Sequence, residues 1–431
     1  MNKVKVAVFP CGSEVGLEIH RSLKYYRHFE LYGFSSINDH GSISFDNYVG
    51  GLPFTNAPQF LEILKGQLEE LSIDFIIPAM DEVGYLLKEN EHFLGCEVVY
   101  PDLEIAKVIR KKSETYKALK EVINVPDTFD LTSAKKNLPV FIKPDIGYGS
   151  RNARVISEKA GFADIEGNID EYIISENLPG EEFTIDCFTD HNGNLAFCGA
   201  RKRERIRMGI SVATSSAKNQ DRFRVIASKI SDALQMKGVW FFQLKEDKDN
   251  ELKLLEVAGR VAGSMAYYRG LGINFIAAEL FQRLGYPIHF AVNDFEHSML
   301  ERSFDCVITA NHDFSGIYCD LDDCLILEGE KVNTVLVSFL YQAFNKGKKL
   351  VLITRHKLDP IQTLRKFRLD SLFDRIIHIT DENKRKSDFI EQSDYIFIDD
   401  SFRERLDVQK AHGLKVFAPD SIPLFIQKNE F

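Results

Sequence analysis

The chain has 431 residues, 44% hydrophobic and 27% charged, the proportions of an ordinary globular protein with room for two to four domains. Its formal net charge of −10 excludes a general nucleic-acid binder, which needs a basic face for phosphates, but leaves room for a local site that takes a small anion. Cysteines at positions 11, 96, 187, 198, 306, 319 and 324 form no CxxC pair, no stretch approaches eighteen apolar residues, and "MNKVKVAVFP" holds only a short apolar run, so reduced thiols, no membrane span and a cytoplasmic location are expected.

In chain order, "KVKVAVFPCGSEVGLEIHRSL" reads as a buried strand, a Gly-containing turn and a helix, and "IDFIIPAMDEVGYLL" repeats the pattern. A parallel α/β domain is expected over residues 1–105. Its turn "CGSEVG" is either a phosphate-binding loop or a plain βα turn, since it lacks the full dinucleotide fingerprint. From 106 to 305, a lysine-rich helix and the strands "PVFIKPD", "RVIS", "EYIISENLPGEEFTIDCF", "LAFCGARKRERIRMG", "GVWFFQLKED" and "ELKLLEVAGR" predict an α+β domain. After "NHDFSG" a fresh α/β unit spans 306–431. Val332, Val335, Leu336, Phe339, Leu340, Ala343 and Phe344 mark its first helix, and "KLVLIT", "RIIHIT", "DYIFID" and "LKVFA" are strands of a doubly wound, Rossmann-like parallel sheet.

Lys143 ends an apolar strand before "PDIGYGS", a loop whose backbone N–H groups suit phosphate oxygens. "IISENLPGEEF" reads as a hinge with carboxylates for a ribose, and Gln243 and Glu256 offer oxygen ligands for Mg²⁺. Glu256 sits in an apolar strand, where a carboxylate needs a partner. In "RKRERIR", Arg201, Arg203, Arg205 and Arg207 alternate onto one face, either as a solvated edge or as a grip on an acidic substrate and the γ-phosphate, with Arg203 favoured.

In this order of motifs, residues 1–290 resemble the ATP-grasp superfamily, specifically carboxylate-amine ligases related to carbamoyl phosphate synthetase. The resemblance implies a pre-grasp domain over 1–105 and an ATP-grasp domain over 106–305. Lys112 and Lys143 would touch ATP phosphates, although Lys112 also reads as a solvated helix residue. Gly147, Gly149 and Ser150 would belong to the phosphate lid. Glu176 would start the adenine hinge, Glu182 would hold the ribose, Gln243 and Glu256 would bind metal, and Arg260 would lie near the transferring phosphate. Where that family runs Glu-x-Asn-x-Arg, this chain has Glu256, Ala258 and Arg260, so one metal-binding amide is missing.

In "GIYCDLDDCLIL", Asp320 and Asp322 stand one residue apart just past a strand end, Thr354 ends the next strand, Lys384 and Lys386 follow, and Asp399 and Asp400 end another. Clustered carboxylates call for a cation or a shared proton. Residues 315–425 resemble haloacid dehalogenase-like (HAD) phosphatases. The resemblance makes Asp320 the nucleophile, Asp322 the acid and then base, Thr354 a phosphate holder, and Lys386 or Lys384 the neutralising lysine. It puts Asp320, Asp322 and Asp400 around Mg²⁺ and Glu404 at a second acidic position. Cys324 is a small residue there rather than a catalytic thiol, and the short chain from Asp322 to Thr354 leaves only a minimal cap.

Together these resemblances imply a bifunctional enzyme using ATP and Mg²⁺, with Mn²⁺ a compatible substitute. One half would join a small-molecule carboxylate to an amine through an acylphosphate; the other would hydrolyse a phosphate ester through an aspartyl-phosphate. A homodimer is compatible with this reading. The alternatives are an ATP-grasp kinase that forms no amide and a nucleotide-dependent scaffold whose ligase site has decayed at Ala258.

Overall fold

The computed structural model describes residues 3–147, 152–163, 165–207, 209–291, 293, 298–303 and 313–426. It separates into two compact units, Met1–Ser303 and Phe304–Phe431.

The first unit opens with a five-stranded parallel sheet of β1 (Val4–Phe9), β2 (Phe29–Phe34), β3 (Asn47–Val49), β4 (Phe75–Pro78) and β5 (Glu97–Val98), in the order β3-β2-β1-β4-β5. Its central strands are apolar because helices cover both faces. Ser13 caps the helix Glu14–Leu23 by accepting from the Gly16 N–H at 3.0 Å. A Cβ at Gly16 would stand 2.5 Å from the Cys11 carbonyl oxygen, so glycine is required for this close approach. The carboxyl group of Asp39 packs against Gly12, within 2.0 Å of where a Cβ would be. An acidic group so close would repel a phosphate at "CGSEVG", which favours the plain βα turn.

Next come β6 (Val140–Pro144), β7 (Arg154–Ile156) and β8 (Tyr172–Glu176), which form a small antiparallel sheet ordered β7-β6-β8. A larger sheet follows from β9 (Glu182–Thr189), β10 (Leu195–Arg207), β11 (Ile210–Ser216), β12 (Gly238–Glu246), β13 (Leu252–Ala258) and β14 (Met299–Glu301), in the order β13-β12-β9-β10-β11-β14. The helix Gln220–Leu234 lays Phe223, Ala227 and Ile230 on this sheet against Ile185, Trp240 and Phe242. The expected run of four arginines on one face is broken by irregular pairing between Arg203 and Ile206. Arg201 is fully buried on Asp186 at 2.6 Å, whereas Arg205 is exposed and pairs with Glu301.

Residues 261–290 return to the first sheet. Val261, Met265, Ile273, Phe275 and Ile276 share one apolar cluster with Val6, Val8, Ile19 and Leu23. The buried carboxylate of Glu18 is met by Arg269 at 2.7 Å, and Asn274 donates to the Ser22 carbonyl at 2.7 Å.

The second unit is a five-stranded parallel sheet of β15 (Gly316–Cys319), β18 (Lys349–Thr354), β19 (Arg375–His378), β20 (Tyr395–Ile398) and β21 (Lys415–Phe417), with β16 (Ile326–Leu327) and β17 (Lys331–Val332) forming a short hairpin after β15. Its order β19-β18-β15-β20-β21 repeats the winding of the first sheet. The helix after the hairpin is Thr334–Asn345, capped by Asn333 and closed by Gly347 at φ +72°. Leu336, Phe339, Leu340 and Ala343 are buried as expected, but Val332 belongs to β17, and Val335 and Phe344 face solvent. The helix therefore presents a narrower buried stripe than the sequence spacing predicts.

Candidate active sites

In the first unit a cleft runs between the small sheet and the large one, lined by Lys112, Lys143, Glu176, Glu182, Arg203, Gln243 and Glu256. Lys143 leaves β6 almost fully buried and donates to the Tyr116 hydroxyl at 2.8 Å and the Leu255 carbonyl at 3.1 Å. Burial pushes its ammonium down to about 8, against the pull of Glu256, Glu182 and Asp145. Lys112, the first residue of the helix Lys112–Leu119, donates to the carbonyls of Gly147 at 3.2 Å and Asp145 at 3.4 Å. Burial lowers its pKa as well, with Glu256 opposing. Asp145 organises this corner, its carboxylate accepting from the Ser113 N–H at 2.7 Å and hydroxyl at 2.6 Å at the helix N-terminus.

Across the cleft, Gln243 on β12 stands opposite Glu256 on β13 and Thr184 on β9. The Gln243 side-chain oxygen accepts from Arg203 at 2.9 Å, and Arg203 also pairs with Glu182 and donates to the Gly209 carbonyl at 2.7 Å. The Glu256 side chain has no hydrogen-bond partner among the described residues, and its charge acts on Lys112, Lys143 and Arg260. Hard oxygen donors, one of them unclaimed, fit a divalent cation. Ala258 is buried and pairs through its backbone with Phe241, so it adds no donor side chain.

Glu176 ends β8 at the far side, accepting from the Asp127 N–H at 3.0 Å with Lys253 at 3.3 Å. Beside it, Asn177 and Leu178 line the cleft with Phe141 and Val155, giving it an apolar end. Arg260 donates to Asp81 at 2.6 Å; among the described residues its Nε and the Asp81 Oδ1 are buried without hydrogen-bond partners. Gly149 and Ser150 lie outside the described residues. Asp81, Tyr116 and Asp145 escaped the sequence reading. Only Asp145, next to "FIKP", carried a local signal.

In the second unit, β15 and β20 are parallel neighbours with Cys319 opposite Ile398, so Asp320 and Asp399 leave the sheet side by side. Carboxyl ends of central strands are where such sheets bind ligands. The buried Lys386 ammonium lies 2.7 Å from Asp320 and 2.6 Å from Asp399. Of the two candidate lysines it is the one brought to Asp320; the Lys384 carbonyl accepts from Arg355 at 2.5 Å. Burial pushes the Asp320 carboxyl up to about 7, Asp399 adds to that and Lys386 opposes it. Burial works against the Lys386 charge, but Asp320 and Asp399 outweigh it and raise its pKa.

Asp320, Asp399 and Asp400 each offer an oxygen within 4.8 Å of the others, a donor set that fits a hard divalent cation. The Asp322 carboxylate is outside this trio and meets His356 Nδ1 at 2.8 Å. Asp323, at φ +53°, accepts from the Glu328 N–H at 2.9 Å and shapes the hairpin. Thr354 is buried at the end of β18 and accepts from the His356 N–H at 3.0 Å. Glu404 is met by Arg355 at 3.3 Å. Cys324 is buried, and its contact with Cys319, together with burial, holds the thiol protonated. Asp399 was overshadowed in the sequence by its neighbour Asp400, because a doublet does not say which carboxylate turns inward.

A family model described as ATP-grasp in the biosynthetic pathway with Ter operon matches residues 168–307. Three solved structures give the fold of the larger part of the chain. The biotin carboxylase domain of Hydrogenobacter thermophilus 2-oxoglutarate carboxylase, a dimer with MgADP, ADP and bicarbonate, matches with a TM-score of 0.59 at 13% identity over 68% of this chain and 73% of its own. Biotin carboxylase from Campylobacter jejuni gives 0.58 at 15% identity over 69% and 75%. L-Amino acid ligase from Bacillus licheniformis gives 0.54 at 17% identity over 67% and 75%. The fold is ATP-grasp-like. At these identities the likeness is one of architecture. None of the curated proteins compared matches the chain, and no helix among the described residues is long and apolar enough to cross a membrane.

Proposed function

We propose that the first unit is an ATP-dependent carboxylate-amine ligase. The observation that carries this reading is the convergence of Lys112, Lys143 and Arg203 with the unclaimed carboxylate of Glu256 in one cleft with an apolar end. Adenine would enter beside Phe141, Val155 and Leu178, and the phosphates would lie toward the lysines. Transfer to a carboxylate brings two anions together, and the cations of this cleft offset that repulsion as charge develops on the moving phosphoryl group. A substrate carboxylate oxygen attacks the γ-phosphorus, ADP leaves, and an amine then attacks the acyl carbon and expels phosphate. Gln243 and Glu256 would hold Mg²⁺, which when bound supplies further charge neutralisation. The fold and the ligands named for the H. thermophilus structure support the choice of nucleotide and metal. The test is ADP formation across a panel of small acids and amines, with product mass. Amine-independent ADP formation would favour a kinase, and binding without turnover a scaffold.

We further propose that the second unit is a phosphohydrolase, on the strength of Asp320 held by Lys386 beside Asp399. Asp320 would attack phosphorus to give an aspartyl-phosphate, with Asp322 giving a proton to the leaving oxygen and then taking one from water. Thr354 and Lys386 would hold the phosphoryl group. Asp320, Asp399 and Asp400 would hold Mg²⁺, which when bound offsets the phosphate charge. Asp320→Asn should abolish hydrolysis of aryl phosphates and leave ADP formation intact; retained hydrolysis would rule out the covalent route.

A further inference from the structure

His356 belongs to none of the motifs in the sequence, yet its side chain and main chain are tied on several sides beside the second site. Its ring Nδ1 meets both oxygens of Asp322, at 2.8 and 3.1 Å, and its Nε2 meets the Thr363 hydroxyl at 2.8 Å. Its main chain is fixed at both ends. The N–H donates to Thr354 Oγ1 at 3.0 Å, and the carbonyl faces His378 Nε2 at 2.8 Å. Thr363 lies in the helix Pro360–Lys366, which Asp359 caps by accepting from the Ile361 N–H at 2.9 Å. The imidazole is thus braced from behind by a capped helix and from below by the end of β18.

Asp322 has no comparable support of its own. Its side chain is 49% exposed, against 15% for His356, and among the described residues it hydrogen-bonds only to that ring. A half-exposed carboxyl on a turn samples several rotamers, whereas proton transfer needs one, within hydrogen-bond reach of the reacting oxygen. The Thr363 hydroxyl both donates and accepts, so either neutral tautomer of the ring is satisfied at its far side.

We propose that His356 is a positioning residue that fixes the Asp322 carboxyl for proton transfer in a phosphohydrolase reaction at Asp320. This rests on the phosphohydrolase reading above. In the step concerned, an Asp320 oxygen forms a bond to phosphorus, the bond from phosphorus to the ester oxygen breaks, and the Asp322 proton moves to that oxygen, which leaves as the alcohol. In the following step a water oxygen bonds to phosphorus, the aspartyl-phosphate bond breaks, and the water proton goes to Asp322. No other reactant is required.

Leaving groups separate this role from a merely structural one. An alkyl alkoxide leaves poorly and needs the proton, while a p-nitrophenolate leaves without much help. The experiment measures single-turnover alcohol release by the full-length protein with Mg²⁺, from an alkyl phosphate and from p-nitrophenyl phosphate. His356→Ala is expected to slow the alkyl substrate about 30-fold or more beyond any effect on the aryl one, less than the roughly 100-fold or more that a general acid contributes, because Asp322 itself remains. His356→Asn, which keeps an N–H donor near the Nδ1 position, is expected to restore most of the difference. Equal losses on both substrates, or no loss, would overturn the positioning role while leaving the phosphohydrolase reading standing. No phosphate release from either substrate by the wild-type protein, or full activity in Asp320→Asn, would overturn both.

Discussion

At the scale of the residue, Lys143 shows what the nucleotide cleft requires. A buried ammonium with a hydroxyl and a carbonyl for company is costly to keep charged, and its pKa falls from 10.5 to about 8. Between about 8 and 10.5 the unfolded chain holds more of this proton than the folded one, so this group makes the protein more stable as pH rises through that window, and it adds no slope below it. Phosphate oxygens reverse the shift. Nucleotide binding at pH 9 should therefore take up a proton, visible as a dependence of calorimetric heat on the buffer's ionisation enthalpy and reduced in Lys143→Ala. The same variant should lower ATP turnover by about 100-fold or more, since the charge offset is lost, and leave aryl-phosphate hydrolysis unchanged. Glu256→Gln, which removes the unclaimed charge opposite Gln243, should raise the Mg²⁺ needed for half-maximal ADP formation by about tenfold; a metal titration unchanged by the substitution would move the cation elsewhere. Lys143 was legible in the sequence because an apolar strand ends on it just before a glycine loop. Asp81 was not, because 179 residues separate it from Arg260 and only the folded chain joins them.

At the scale of the element, strands were easier to read than faces. The apolar runs of β1, β4, β15 and β20 stand out because strands covered on both sides lack polar alternation. Which way a side chain turns depends on neighbours that local spacing does not encode. Val335 and Phe344 fit a helical stripe in the sequence and still face solvent, and irregular pairing after Arg203 redirects the arginines that follow. The helix Glu14–Leu23 holds a related surprise in His20, which packs its ring 4.7 Å from that of Phe45. Burial, helped by the charge of Lys24, brings its pKa from 6.5 down to about 4. Between those values the unfolded chain takes the proton and the folded one does not, so stability should fall as pH drops from 6.5 toward 4, by up to about 3 kcal/mol at the acid end. His20→Leu should flatten that part of the curve in chemical denaturation across the same pH range. A slope that persists would assign the acid sensitivity to other groups.

At the scale of the whole molecule, the positions of the cores decide where the chain can be cut. The sequence marks a change of pattern near residue 105, where parallel strands give way to antiparallel ones, and another near "NHDFSG". The two differ in kind. Val6, Val8, Ile19 and Leu23 share one apolar cluster with Val261, Met265, Phe275 and Ile276, so residues beyond 260 complete the packing of the first sheet. Glu18 with Arg269, Glu14 with Arg302 and Glu97 with Arg283 add ion pairs across the same span. A fragment ending at 105 would expose that apolar surface to water and lose the Arg269 partner of Glu18. The second unit instead builds its clusters from its own residues, such as Ile317, Leu336, Leu350 and Ile396 on one side of the sheet and Tyr318, Ile353 and Phe397 on the other. Fragments 1–303 and 304–431 should therefore each be soluble and melt cooperatively, the first forming ADP and the second hydrolysing aryl phosphates, whereas 1–105 should aggregate or bind a dye for exposed apolar surface. Cooperative melting of 1–105 alone would mean that the shared cluster contributes little to the first sheet. Failure of 304–431 to fold would mean that the second core, though made of its own residues, is too small to stand without the rest of the chain.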